Sequence, residues 1–134
     1  MNMKLYNFFR SGTSHRTRIA LNLKGLEYEY VAVALGKEAH LQAAFHAINP
    51  PGVVHALVLD DKTTLIQSPA IIEWLEEVFP QNPLLPTEPL ARAHVRAMAA
   101  IVGCDIHPIN NRRILQYLRG ELQQSEEEVL KWFA

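Results

Sequence analysis

The sequence predicts an α/β domain joined to the beginning of an all-helical one. Three observations carry that expectation. Short apolar runs with strand character, at residues 4–8, 28–33, 53–59 and 64–66, are interleaved with helix-like stretches as far as residue 79. Four prolines (Pro80, Pro83, Pro86 and Pro89) then fall within ten residues where periodicity lapses. Beyond them the pattern is helical. The expected division is therefore a domain over 1–80, a proline-rich linker over 81–89 and a partial all-α domain over 90–134.

The elements follow in order. Residues 4–8 predict a strand and residues 14–24 a helix, with Ser14 as N-cap and Gly25 as the C-terminal stop. Residues 28–33 alternate and are rich in β-formers, which predicts a second strand parallel to the first. Residues 37–47 predict a helix from Leu41, Ala44, Phe45 and Ile48, ended by Asn49-Pro50-Pro51-Gly52. Residues 53–59 and 64–66 flank Asp60-Asp61-Lys62, a hairpin signal. A further helix opens with Ser68 as N-cap and Pro69 as its first residue, and closes at Phe79-Pro80. The order β-α-β-α-β-β-α is a thioredoxin-like arrangement, a mixed four-stranded sheet with three helices on its faces. After the linker, a long helix runs from Leu90 to Leu118 with a kink at Pro108, and a last one from Glu121 to Phe133 is capped by Ser125 with Glu128 three residues on.

Composition narrows the function. Apolar residues make up 49% of the 134 and charged residues 20%, the balance of a globular chain. A net charge of −1 gives no bulk attraction to nucleic acid. No apolar run reaches membrane-spanning length, and the N-terminal one is too short for a secretory signal. The single cysteine, Cys104, forms no internal disulfide, and a cytoplasmic setting is expected. The six histidines (His15, His40, His46, His55, His94 and His107) are scattered without metal-ligand spacing, so no metal is expected.

Chemistry concentrates in Arg10-Ser11-Gly12-Thr13-Ser14-His15-Arg16, between the first strand and the first helix. Its hydroxyls and cations sit where free N–H groups and the positive helix end favour an anion or an incipient thiolate, and Gly12 permits backbone geometry closed to other residues. The same residues also read as a well-capped helix with arginines in solvent.

This segment, with Asn49-Pro50 before the third strand and Gln67-Ser68 at the third predicted helix, resembles the zeta-class glutathione transferases, which include the maleylacetoacetate and maleylpyruvate isomerases. Cys104-Asp-Ile-His-Pro-Ile-Asn-Asn-Arg-Arg113 is similar to the bacterial maleylpyruvate isomerase branch. The resemblance runs from about Lys4 to Leu118. It implies glutathione as cofactor on the thioredoxin-like domain, and the first helices of the all-α glutathione transferase C-terminal domain beyond it. Ser11 and Thr13 fall near the glutathione sulfur, where a hydroxyl donor would favour thiolate from a thiol of ordinary pKa about 8.5. With Arg10 they form the expected catalytic set. Gly12, Ser14, His15 and Arg16 lie in the same cofactor-binding segment. Gln67 and Ser68 match the pair holding the γ-glutamyl end, Val54 the backbone contact to the cysteinyl part and His40 a further glutathione contact, while Asn110 and Asn111 either reach glutathione or shape the substrate pocket.

The implied activity is cis–trans isomerisation of a small unsaturated dicarboxylic acid of the maleylpyruvate or maleylacetoacetate type in aromatic catabolism. The borrowed thiolate adds to a cis double bond and leaves after rotation. An anionic substrate needs cations, for which Arg10 and Arg112 are the candidates ahead of Arg113. Family members are dimers, so a homodimer is expected. His55 stands where the family has a cis-proline, and only the opening of the family's helical domain is present. A general zeta-type transferase and an inactive protein of the same fold are the competing readings. A thiol–disulfide oxidoreductase is excluded, because the turn before the first helix holds no cysteine.

Overall fold

A computed structural model describes residues 2–33, 47, 49 and 55–133. Residues 34–46, 48 and 50–54 fall outside this set, and with them most of the helix expected over 37–47; Ala47 is helical. The chain divides into two compact units, Met1–Leu85 and Pro86–Ala134.

The first unit is built on a four-stranded sheet of order β2-β1-β3-β4. Strand β1 (Lys4–Asn7) pairs parallel with β2 (Glu29–Ala32), Leu5 opposite Tyr30. It pairs antiparallel with β3 (Ala56–Val58), Leu5 opposite Leu57, and β3 pairs antiparallel with β4 (Thr64–Ile66). The mixed sheet expected from element order is the one observed. Leu5 and Leu57 are wholly buried, and Met3, Leu21, Ile71 and Leu75 close the core around them. At about 25 cal/mol per Å² of buried apolar area, side chains of this size each stabilise the fold by roughly 1.5–3 kcal/mol.

Helix α1 spans Gly12–Leu23, two residues earlier than the sequence suggests. Its N-cap is Ser11, not Ser14: Ser11 is extended (φ −76°, ψ 122°) and its hydroxyl accepts from the Ser14 amide, while Ser14 is fully buried inside the first turn. Gly12 has no positive φ and open space around it, so its freedom is not used. Gly25 does use its freedom, at φ 68°, to end the helix. Helix α2 (Ser68–Val78) likewise starts one position earlier than expected. Gln67 is its N-cap at φ 70°, ψ 110°, which moves Ser68 to the first helical turn and Pro69 to the next position.

Two cross-links spaced eight residues apart on each helix hold α1 and α2 parallel. Arg16 Nη1 donates to Ser68 Oγ at 3.1 Å, and Lys24 Nζ lies 2.7 Å from Glu76 Oε2. The second pair is buried. Glu76 also accepts from the Leu84 and Leu85 amides, and Lys24 donates to the Phe79 carbonyl. The chain leaving α2 is thus tied back onto both helices.

In the second unit α3 spans Pro89–Ala100, capped by Glu88 through the Leu90 and Ala91 amides. The expected long helix is broken rather than kinked. It widens into a π-helical stretch at Ile101–Ile106, turns at 107–110 and restarts as α4 (Arg112–Gly120). Pro108 has no N–H and in an α-helix would crowd the Cys104 carbonyl, so the ladder cannot continue through it. Asn111 then recaps the chain through the Arg113 and Ile114 amides. Helix α5 (Glu126–Phe133) starts five residues later than the expected Glu121, because Gln123 turns the chain at φ 49°; its cap is Ser125 as expected, the Ser125 hydroxyl accepting from Glu128 N.

Candidate functional site

The turn between β1 and α1 is organised by its own side chains. The amide of Ser11 donates to the Phe8 carbonyl at 3.0 Å, and Arg18 Nη2 reaches back to the Phe9 carbonyl at 3.2 Å. This fixes Ser11 at the helix entrance. Its Oγ accepts from Ser14 N at 3.3 Å and lies 2.9 Å from Thr13 Oγ1. The two hydroxyls are partly buried and hydrogen-bonded to one another. Thr17, one turn on, closes the local network by donating its hydroxyl to the Thr13 carbonyl.

Arg16 joins this segment to the start of α2. Its bond to Ser68 Oγ crosses 52 residues of sequence and brings the first turns of both helices to one end of the unit. Both therefore direct unpaired first-turn amides and the positive ends of their dipoles the same way. Gln67 is exposed and makes no side-chain cap, so its carboxamide is not spent on the helix. Its positive φ is a strained backbone for a residue with a Cβ, at about 1–3 kcal/mol.

The other expected residues are placed as follows. Arg10 is exposed in the turn itself. Ser14 is buried, and its hydroxyl has no partner among the described residues. His15 lies on the outer side of α1, where with Arg18, Ile19, Asn22, Tyr28 and Tyr30 it lines a shallow cavity of about 350 Å³. Asn110 and Arg112 belong to the helical unit, Asn110 in the turn and Arg112 as the first residue of α4. Asn111 is fully engaged: its carbonyl oxygen caps α4 and its amide donates to the Pro108 carbonyl. His40 and Val54 lie outside the described residues, as does the junction between Val54 and His55. Sequence reading missed Arg18, whose hold on Phe9 has no motif to announce it, and the Lys24–Glu76 pair, which joins positions 52 apart.

A family model for the glutathione S-transferase N-terminal domain matches residues 10–78, a span that includes both first turns just described. The chain belongs to the glutathione S-transferase family. Zeta-class proteins are among those it is similar to. It is 64% identical over 130 residues to a maleylpyruvate isomerase of a Ralstonia species, covering 97% of this chain and 61% of the relative. It is 52% identical over 132 residues to a maleylacetoacetate isomerase of Pseudomonas aeruginosa, covering 97% and 62%. Among solved structures, the holo form of a zeta-class maleylpyruvate isomerase superposes with a TM-score of 0.91 at 62% identity, covering 97% of this chain and 61% of that one. A Methylobacterium extorquens maleylacetoacetate isomerase with bound malonate and glutathione superposes at 0.92 with 42% identity and the same coverage. The chain thus spans about three fifths of the length of the curated relatives it matches.

Proposed function

We propose that the thioredoxin-like unit binds reduced glutathione, and that the protein is a glutathione-dependent cis–trans isomerase of the maleylpyruvate or maleylacetoacetate type. One observation carries this reading: the Ser11–Thr13 hydroxyl pair and the Gln67–Ser68 helix start are drawn to the same end of the unit by the Arg16–Ser68 bond. A hydroxyl donor for a thiol and a helix start for a carboxylate are the two things a γ-glutamyl-cysteinyl peptide needs. The unspent Gln67 carboxamide, held outward by its backbone, fits the same peptide. When bound, glutathione supplies the thiol nucleophile.

The residues of this chain do the rest. Ser11 Oγ accepts from the Ser14 amide. If Thr13 also donates to it, the Ser11 proton is left to point at the sulfur, and the pair polarises in the direction that favours thiolate. Ser11 is therefore the proposed donor and Thr13 its support. Arg10 and Arg112 are the proposed cations for a dicarboxylate substrate, and Asn110 a further glutathione contact. A homodimer in the cytoplasm, serving aromatic catabolism, completes the proposal.

Calorimetric titration of the chain with reduced glutathione tests it first, followed by isomerisation of maleylpyruvate with catalytic glutathione. Binding with substrate turnover and no net loss of glutathione supports the isomerase. Consumption of glutathione into a conjugate replaces it with a general zeta-type transferase, and no binding leaves an inactive protein of this fold. Gln67→Gly separates strain from contact. It is expected to raise stability by about 1 kcal/mol, because glycine tolerates positive φ, and to weaken glutathione binding through loss of the amide. Unfolding midpoints and titration together check both halves.

A further inference from the structure

We propose, resting on the reading that this unit binds glutathione, that Arg16 is a positioning residue acting through Ser68. Its guanidinium turns the Ser68 hydroxyl into a donor aimed at the γ-glutamyl carboxylate. The argument begins with what each group can do. A guanidinium has only donors, so at 3.1 Å from Arg16 Nη1 the Ser68 oxygen accepts. The Ser68 proton must then go elsewhere.

A helical serine commonly gives its proton to a carbonyl three or four residues back. For Ser68 those residues are Leu65 and Thr64, which lie in β4 rather than in a helix. Ser68 is almost completely buried, at 1% exposure, and no carbonyl or carboxylate of the described residues is within hydrogen-bond reach to accept its proton. A buried hydroxyl proton calls for an acceptor. The first turn of α2 carries no acidic residue to provide one.

Charge points the same way. A cation at the positive end of a helix opposes the dipole. Among the described residues no carboxylate is paired with Arg16. An arriving carboxylate would relieve both features at once, accepting the Ser68 proton and neutralising the convergence of the guanidinium and the helix end. Arg16 need not touch the ligand to do this. It sets which way Ser68 faces and strengthens that donor by polarising it.

The test compares two peptides on the full chain by titration calorimetry. One is glutathione. The other is 4-aminobutyryl-cysteinylglycine, which lacks only the γ-glutamyl α-carboxylate. The wild-type chain is expected to prefer glutathione. Arg16→Met should weaken glutathione about tenfold or more, the loss of a charge-assisted contact, and leave the shorter peptide nearly unchanged. Ser68→Ala should give the same selective loss, and adding it to Arg16→Met should bring little further loss, because the two act in series. Equal weakening of both peptides by Arg16→Met, or fully additive losses, would mean a merely structural role and overturn the proposal.

If Arg16→Met fails to fold by circular dichroism, Arg16→Lys decides. It keeps a donor without the planar fork and should give a smaller loss confined to glutathione; no loss, or equal loss on both peptides, again overturns the proposal. A wild-type chain that binds neither peptide removes the glutathione reading itself and Arg16's role with it. A wild-type chain that binds glutathione while the variants keep its preference removes Arg16's role alone.

Discussion

Ser11→Ala is expected to lower glutathione-dependent turnover about ten- to thirtyfold at pH 7, since an unassisted thiol of pKa about 8.5 is only about 3% ionised there. Glutathione affinity should fall less, because a donor to the sulfur acts on the ionised thiol rather than on the peptide as a whole. The deficit should shrink as pH rises past 8.5, where the thiol ionises without help. A rate ratio between wild type and variant that stays constant from pH 6.5 to 9 would remove Ser11 as the activating donor. The same substitution removes the α1 cap, because Ser11 Oγ accepts from the Ser14 amide, and should cost about 1 kcal/mol of stability. Thr13→Ala is the control. It keeps that cap and removes only the neighbour at 2.9 Å, so its rate loss should be smaller and its stability close to wild type.

Lys24→Met should produce the largest loss of stability, about 3–5 kcal/mol, because it leaves the Glu76 carboxylate buried without its cation. Lys24 and Glu76 have side-chain exposures of 0% and 7%, so solvent cannot replace the missing partner. Lys24→Met with Glu76→Gln should recover much of the loss, since the neutral amide oxygen can still accept from one of the Leu84 and Leu85 amides. Denaturant midpoints of the two single variants and the double measure the coupling directly. Additive losses would mean that the pair contributes nothing as a pair.

The pH dependence follows from the same group. Burial pushes the Glu76 carboxyl up, and the Lys24 ammonium with the Leu84 and Leu85 amides more than offsets this, so its pKa lies below the ordinary carboxylate value. The folded state therefore binds the proton less readily than the unfolded chain. The resulting stabilisation is fully present above the unfolded pKa of about 4.5, and is lost as pH falls through the lower folded value. Removing Lys24 should move acid unfolding to higher pH. The exposed pair of Arg119 and Glu126, bidentate at 2.7 and 2.9 Å, should contribute little by comparison, because water screens it.

The candidate site is legible in the sequence where its residues are close together. Ser11 and Thr13 lie two apart, Gln67 and Ser68 are adjacent, and each group stands at a strand–helix junction recognisable from local pattern. The observed caps, Ser11 and Gln67, precede the expected Ser14 and Ser68 by three residues and by one. Serine is a good cap wherever it stands, and only the observed dihedral angles decide which residue is half in the helix. Ser14 and Ser68 instead face inward, one with no hydroxyl partner among the described residues and the other bound to Arg16. Pro108 marks a disruption in the sequence but not a break, since the outcome depends on whether Asn111 can start a new helix beyond it.

By itself the sequence determined the alternation of strands and helices, the hairpin at Asp60-Asp61-Lys62, the stop at Gly25 and the family. These rest on periodicity and on residues with few conformational choices, and both act over a handful of positions. Only the tertiary structure decided that Arg16 meets Ser68, that Lys24 meets Glu76 and that Arg18 holds the turn carrying Ser11. Those contacts link positions 52 apart in two cases and nine in the third. They depend on how α1 lies against α2 and against the end of β1, an arrangement no local pattern encodes.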